Sequence, residues 1–182
     1  MEPEALIAMV REHYLEQFTA FVTSQKQSCE QGASEVKLLL SDESSIFRHL
    51  YCVDFIQNDS EANVIEFAPE NVLTFEPMSG SFGTAALVIE HLRWDDIVVH
   101  HDAQEPAPGL ADWFEKWFDP DDERYVEGGE FGNVIHSLLV QQGIVSADLG
   151  SADPEAFWDL LDLLEVAGAR NLRVTASRLD DA

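Results

Sequence analysis

Lysine is scarce in this chain. Lys26, Lys37 and Lys116 are the whole complement, and they join seven arginines against 35 aspartates and glutamates. The net charge of −25 removes the side chains that neutralise nucleic-acid phosphates, and its field repels DNA, RNA and anionic membrane surfaces. Cysteine is nearly absent as well. Cys29 and Cys52 can form at most one bridge and no CxxC pair, which excludes a disulfide framework and the Cys/His zinc patterns. Long hydrophobic runs are missing: stretches such as Ala85 to Ile89 fall far short of the ~20 apolar residues that span a bilayer. Met1-Glu2-Pro3-Glu4 lacks the basic start of a signal peptide. These absences predict a soluble protein of a reducing, cytoplasmic setting.

Apolar residues are plentiful. They make up 46% of the 182 residues, with 11 Phe and 4 Trp, enough for a sizeable core in one large domain or two small ones. Ile7, Val10, Tyr14, Phe18, Phe21 and Val22 recur at helical spacing and predict a helix over 4–24, followed by a polar loop from Ser24 to Ser34. From 35 to 102 the apolar segments are short: Val36–Leu40, Phe47–Ile56, Asn63–Phe67, Val72–Phe75, Ala85–Leu92 and Ile97–His101. Turn signals separate them, among them Ser79-Gly80-Ser81 and Trp94-Asp95-Asp96, so an antiparallel meander of about five or six strands is expected.

Residues 103–109 hold two prolines and a glycine and mark a candidate boundary. Beyond it, Leu110, Trp113, Phe114 and Trp117 predict a helix ending near Asp119-Pro120. Phe131–Val140 and Ile144–Leu149 flank Gln141-Gln142-Gly143 as a hairpin. Asp153-Pro154-Glu155 opens a second helix with an apolar stripe of Phe157, Leu160, Leu161 and Leu164, which Gly168 ends, and Leu172–Ala176 is a last strand. The fold class is α+β. Its expected organisation is a helix plus antiparallel sheet over 1–102 and a C-terminal α/β unit over 103–182, or one continuous domain over 1–182.

No catalytic pattern is complete. GxSxG and HExxH are absent, and Ser79 to Gly83 lacks the lysine of a phosphate loop. Neither cysteine has a cationic neighbour in sequence that would activate it. Asp119 to Glu130 places oxygens at Asp119, Asp121, Glu123 and Glu130 in the spacing of a calcium loop, but Arg124 stands where that loop needs glycine. A solvated acidic loop is expected there. His100 and Asp102 share a strand face and, with His136 or His49, are the candidates for a two-His, one-carboxylate metal site. No metal or cofactor is expected, and the sequence leans away from an enzyme.

The charge map is more informative. Residues 101–130 hold ten acids against Lys116 and Arg124, interleaved with Trp113, Phe114, Trp117, Phe118 and Tyr125. Acids steer a basic partner and aromatics anchor it. Trp113 and Trp117 lie on the helix's apolar stripe. The expected partner-binding residues are therefore Asp112, Glu115, Phe118, Asp119, Asp121, Asp122, Glu123, Tyr125 and Glu127. Small size, strong acidity, a plausible core and no catalytic signature are similar, in general character and through no single motif, to bacterial immunity proteins against toxic nucleases. That likeness implies a small acidic binding or inhibitor protein for a basic protein partner. The alternatives from the same residues are a metal-dependent enzyme using the His/Asp site and an acid-rich protein adapted to a salty cytoplasm.

Overall fold

The structure, a computed structural model, describes residues 2–39, 50–59, 61–105, 107–124 and 130–178. Helix α1 spans Pro3–Ser28, with proline in its first turn and Lys26 in its last, where each suits the helix ends. It buries Leu6, Ile7, Val10, Tyr14, Phe18 and Val22. It runs a turn beyond the expected end because the polar residues after Val22 need no burial. Strand β1 (Gly32–Leu39) pairs antiparallel with β2 (Leu50–Gln57), which pairs with the short β3 (Asn63–Ile65).

A second sheet has six strands: β4 (Met78–Phe82), β5 (Ala85–Ile89), β6 (Ile97–His101), β7 (Ser137–Gln141), β8 (Ile144–Asp148) and β9 (Asn171–Thr175). Their spatial order is β4-β5-β9-β6-β8-β7. Every pairing is antiparallel except β5 with β9. Helices α2 (Leu110–Phe118) and α3 (Pro154–Val166) pack against each other, and α3 also meets α1. The Trp113 indole N–H reaches across to the Ala156 carbonyl at 3.1 Å. One continuous core runs from Leu6 on α1 to Val174 on β9.

The α+β class, the N-terminal helix, the antiparallel strands and the C-terminal helix–hairpin–helix–strand order are present, and the strands divide between two sheets. Val72–Phe75 is not a strand, whereas Ser79-Gly80-Ser81, expected as a turn, forms the middle of edge strand β4. An edge strand needs fewer β-branched residues than a buried one. β9 enters between β5 and β6, so the six-stranded sheet draws strands from both sides of residues 103–109. That segment connects β6 to α2.

Phe157 is fully buried on α3 and meets Trp158 edge to face, with ring centroids 4.9 Å apart. Phe157→Ala should lower unfolding stability by about 3–5 kcal/mol in denaturant titration. A loss below 1 kcal/mol would mean that α3 does not pack as described.

Candidate functional site

The two sheets meet at His136. Its carbonyl accepts from the Cys52 N–H of β2 at 2.9 Å, and its own N–H donates to the Asp148 carbonyl of β8 at 2.9 Å. The ring is 1% exposed. Glu35 Oε1 of β1 lies 3.0 Å from Nε2, and Asp54 Oδ1 of β2 lies 3.0 Å from Nδ1 but out of line with its N–H. Asp148 Oδ2 is 3.9 Å away. Phe18 of α1 closes the site edge-on, with centroids 5.8 Å apart.

Local backbone geometry builds this arrangement. The pairs Ser34–Phe55 and Val36–Val53 place Glu35 opposite Asp54, so both carboxylates reach the same ring. Glu35 has φ +51°, a left-handed conformation that is strained for a residue with a side chain. Gly150 has φ +48°, and a Cβ there would lie 2.2 Å from His136 Cδ2 and 2.7 Å from the Val134 carbonyl. Only glycine leaves room for the ring.

The carboxylates have other partners too. Glu35 Oε2 accepts the Gly132 N–H at 2.6 Å, Asp54 Oδ2 the Phe67 N–H at 2.7 Å, and Asp148 Oδ1 the Gly150 N–H at 2.8 Å. Burial opposes a charge on His136, but the acids around it raise its pKa well above the usual value. Cys52, pushed up to about 12 by burial, is a neutral thiol at neutral pH. The charge that holds the imidazolium is therefore that of the carboxylates around it, Glu35 at Nε2 first among them. Burial alone would raise Glu35, yet its bonds to His136, Gly132 and Ser151 bring it below the ordinary carboxylate value. Asp148 is pushed up to about 7, first by burial and then by Asp54, with His136 opposing. Both ring nitrogens face carboxylates, so the chemistry available is an ionic joint between sheets rather than proton transfer to a substrate.

The residues singled out in the sequence are dispersed. Asp102 accepts the backbone N–H groups of Arg170 and Asn171 at 2.7 and 3.0 Å, which, with the Asn171 side chain, lower its pKa to about 2. His100 pairs with Ile144 at one end of β8, and His136 binds Asp148 at the other. The expected His100–Asp102–His136 metal site is therefore not assembled. Among the described residues no group of three His, Cys, Asp or Glu could hold a metal. His49 lies outside the described residues.

Phe118 is fully buried and stacks on Phe114, so it does not offer the surface anchor expected of it. It falls inward because α2 buries a wide face that includes Phe114 and Phe118 as well as Trp113 and Trp117. Asp119 is also buried. Its carboxylate accepts the N–H groups of Glu123 and Arg124, each at 3.0 Å, and closes the turn after α2. Asp122 is exposed but paired with Lys37, whose ammonium also donates to the Asp119 carbonyl. Asp112 and Glu115 on α2, and Asp121 and Glu123 beyond it, are exposed. Tyr125 and Glu127 lie outside the described residues.

The His136 joint was missed because its members, Glu35, Asp54, His136 and Asp148, are 12 to 113 residues apart in sequence and follow no spacing rule. The only local signal was a histidine inside an apolar run.

Two outcomes are expected. Gly150→Ala should cost about 1–3 kcal/mol of unfolding stability by forcing the ring aside. Stability should also depend on pH in a particular sense. The folded-state pKa of His136 is raised, so its contribution is complete below ~6.5 and declines as pH rises further. Asp148 acts in the same sense between ~4 and ~7. Denaturation from pH 6 to 9 should show falling stability in the wild type and a flatter profile in His136→Gln. Parallel profiles would contradict the charged joint.

No helix among the described residues is long and apolar enough to cross a membrane. In comparisons with known proteins no family model matches the chain, and no curated protein or solved structure matches it.

Proposed function

We propose that this chain is a small acidic binding or inhibitor protein that engages a basic protein partner through the outer faces of α2 and α3. The observation that carries the reading is the use the chain makes of its cations. Arg11, Lys37, Arg93, Lys116, Arg124, Arg170, Arg173 and Arg178 each lie within 4.0 Å of a carboxylate of this chain. The scarce positive charge is thus largely consumed internally. Asp112, Glu115, Asp121 and Glu123, together with Glu155 and Asp162 on α3, are exposed, and no cation among the described residues forms a salt bridge with them.

Such a face steers a basic partner and accelerates encounter. The aromatic residues of α2 point into the core, so the face acts by charge more than by buried anchors. The free thiols of Cys29 and Cys52 support a reducing, cytoplasmic setting. The same field disfavours nucleic acid and anionic membrane surfaces as direct partners.

The test is the combined variant Asp112→Lys, Glu115→Lys, Asp121→Lys and Glu123→Lys, with thermal unfolding as a folding control. Wild-type protein should capture a basic protein from lysate of the source cells at low salt. The variant should lose that capture, and its association rate with the identified partner should fall about tenfold or more. Undiminished capture by a folded variant would sink the reading.

A further inference from the structure

The six-stranded sheet ends at β4, whose outer side has no backbone partner among the described residues. The direction of its hydrogen-bonding groups follows from the hairpin. Gly83-Thr84 is a two-residue loop, and such a loop closes on a pair that exchanges both backbone bonds, here Phe82 with Ala85. The alternation then makes Gly80–Leu87 and Met78–Ile89 bonded pairs and turns the N–H and C=O of Ser79 and Ser81 outward. The far side of β5 agrees. The Ala86 N–H, opposite Ser81, points away from β4 and donates to the Arg170 carbonyl at 2.8 Å, and the Glu90 N–H donates to the Val174 carbonyl at 2.9 Å.

β4 therefore offers two donors and two acceptors at the spacing an added strand requires. It also lacks the usual protection of an edge, because Met78-Ser79-Gly80-Ser81-Phe82 contains no charge and no proline. Beside it runs a groove of about 380 Å³, floored by Leu87 and Ile89 and rimmed by Glu2 and Glu4. The groove exists where Gly80 has no side chain: a Cβ built there meets nothing within 4 Å.

We propose that β4 is a docking edge that accepts an extended basic segment of a partner protein as a seventh strand. The backbone of Ser79 and Ser81 supplies the ladder, and one lysine or arginine of the segment lies over Gly80 between Glu2 and Glu4. Recognition by an added strand combines main-chain bonds with pockets for alternate side chains, and this edge has both. Charge selects the occupant. A second copy of this chain would bring its own Glu2, Glu4 and net charge of −25 against the same groove. The inference goes beyond the α2–α3 face and does not depend on it.

The probe is the synthetic peptide acetyl-(Thr-Lys)₄-amide at ~0.15 M salt, where diffuse attraction is screened. Titration followed by amide NMR should shift residues of β4 and Glu2–Glu4, and should slow exchange of the Ser79 and Ser81 amides. Ser79→Pro and Ser81→Pro remove only outward N–H groups, a position proline tolerates at an edge. Each should fold and bind the peptide at least about fivefold more weakly. The same peptide with alternate backbone amides N-methylated should lose binding to the wild type, which decides the matter if a proline variant fails to fold. Three results would overturn the proposal: no binding, binding indifferent to backbone methylation or to the prolines, and self-association of the chain through β4.

Discussion

A buried imidazolium held among three carboxylates joins the two sheets, and much of the architecture is arranged around it. β1 contributes Glu35, β2 contributes Asp54, and β8 contributes Asp148, while α1 closes the site with Phe18. Such a group is costly to desolvate and is tolerated only where opposite charges surround it. That cost accounts for two features that would otherwise be unwelcome: the left-handed backbone at Glu35 and the glycine at 150 that leaves space for the ring. The joint supplies orientation between sheets more than net stability, because removing one partner would leave the others buried and unpaired.

The same economy governs the surface. With few cations available, the chain commits most of them to fastening its own loops. Arg11 binds the carbonyls of Ser151 and Ala152, Lys37 ties the turn after α2 to β1, and Arg178, just after β9, binds Asp95 and Asp96. The carboxylates left over include those of Asp112 and Glu115 on α2 and of Glu155 and Asp162 on α3, all exposed. An acidic face and an unguarded β4 edge flanked by Glu2 and Glu4 would both favour a basic partner. The field that attracts such a partner also discourages the chain from pairing with itself at that edge.

Sequence periodicity revealed the elements that bury one continuous stripe. α1, α2 and α3 were legible from Ile7 to Val22, Leu110 to Trp117 and Phe157 to Leu164, and the β7–β8 hairpin from its Gln142-Gly143 turn. Strand order was not legible, since β9 could pair with any apolar neighbour and its place between β5 and β6 is decided by packing over long sequence distances. Phe118 was misread because one residue off a narrow stripe still faces inward on a helix that buries a broad face. The His136 joint could not be read at all, because its charges are brought together only by the completed sheets.

The most direct test of this account is the ¹⁵N spectrum of the His136 ring near neutral pH. A doubly protonated imidazolium gives two ring nitrogens with similar shifts, each carrying a proton, and that is the expected result. A single unprotonated nitrogen at neutral pH would show that the ring is neutral, and the ionic joint between the sheets would be contradicted.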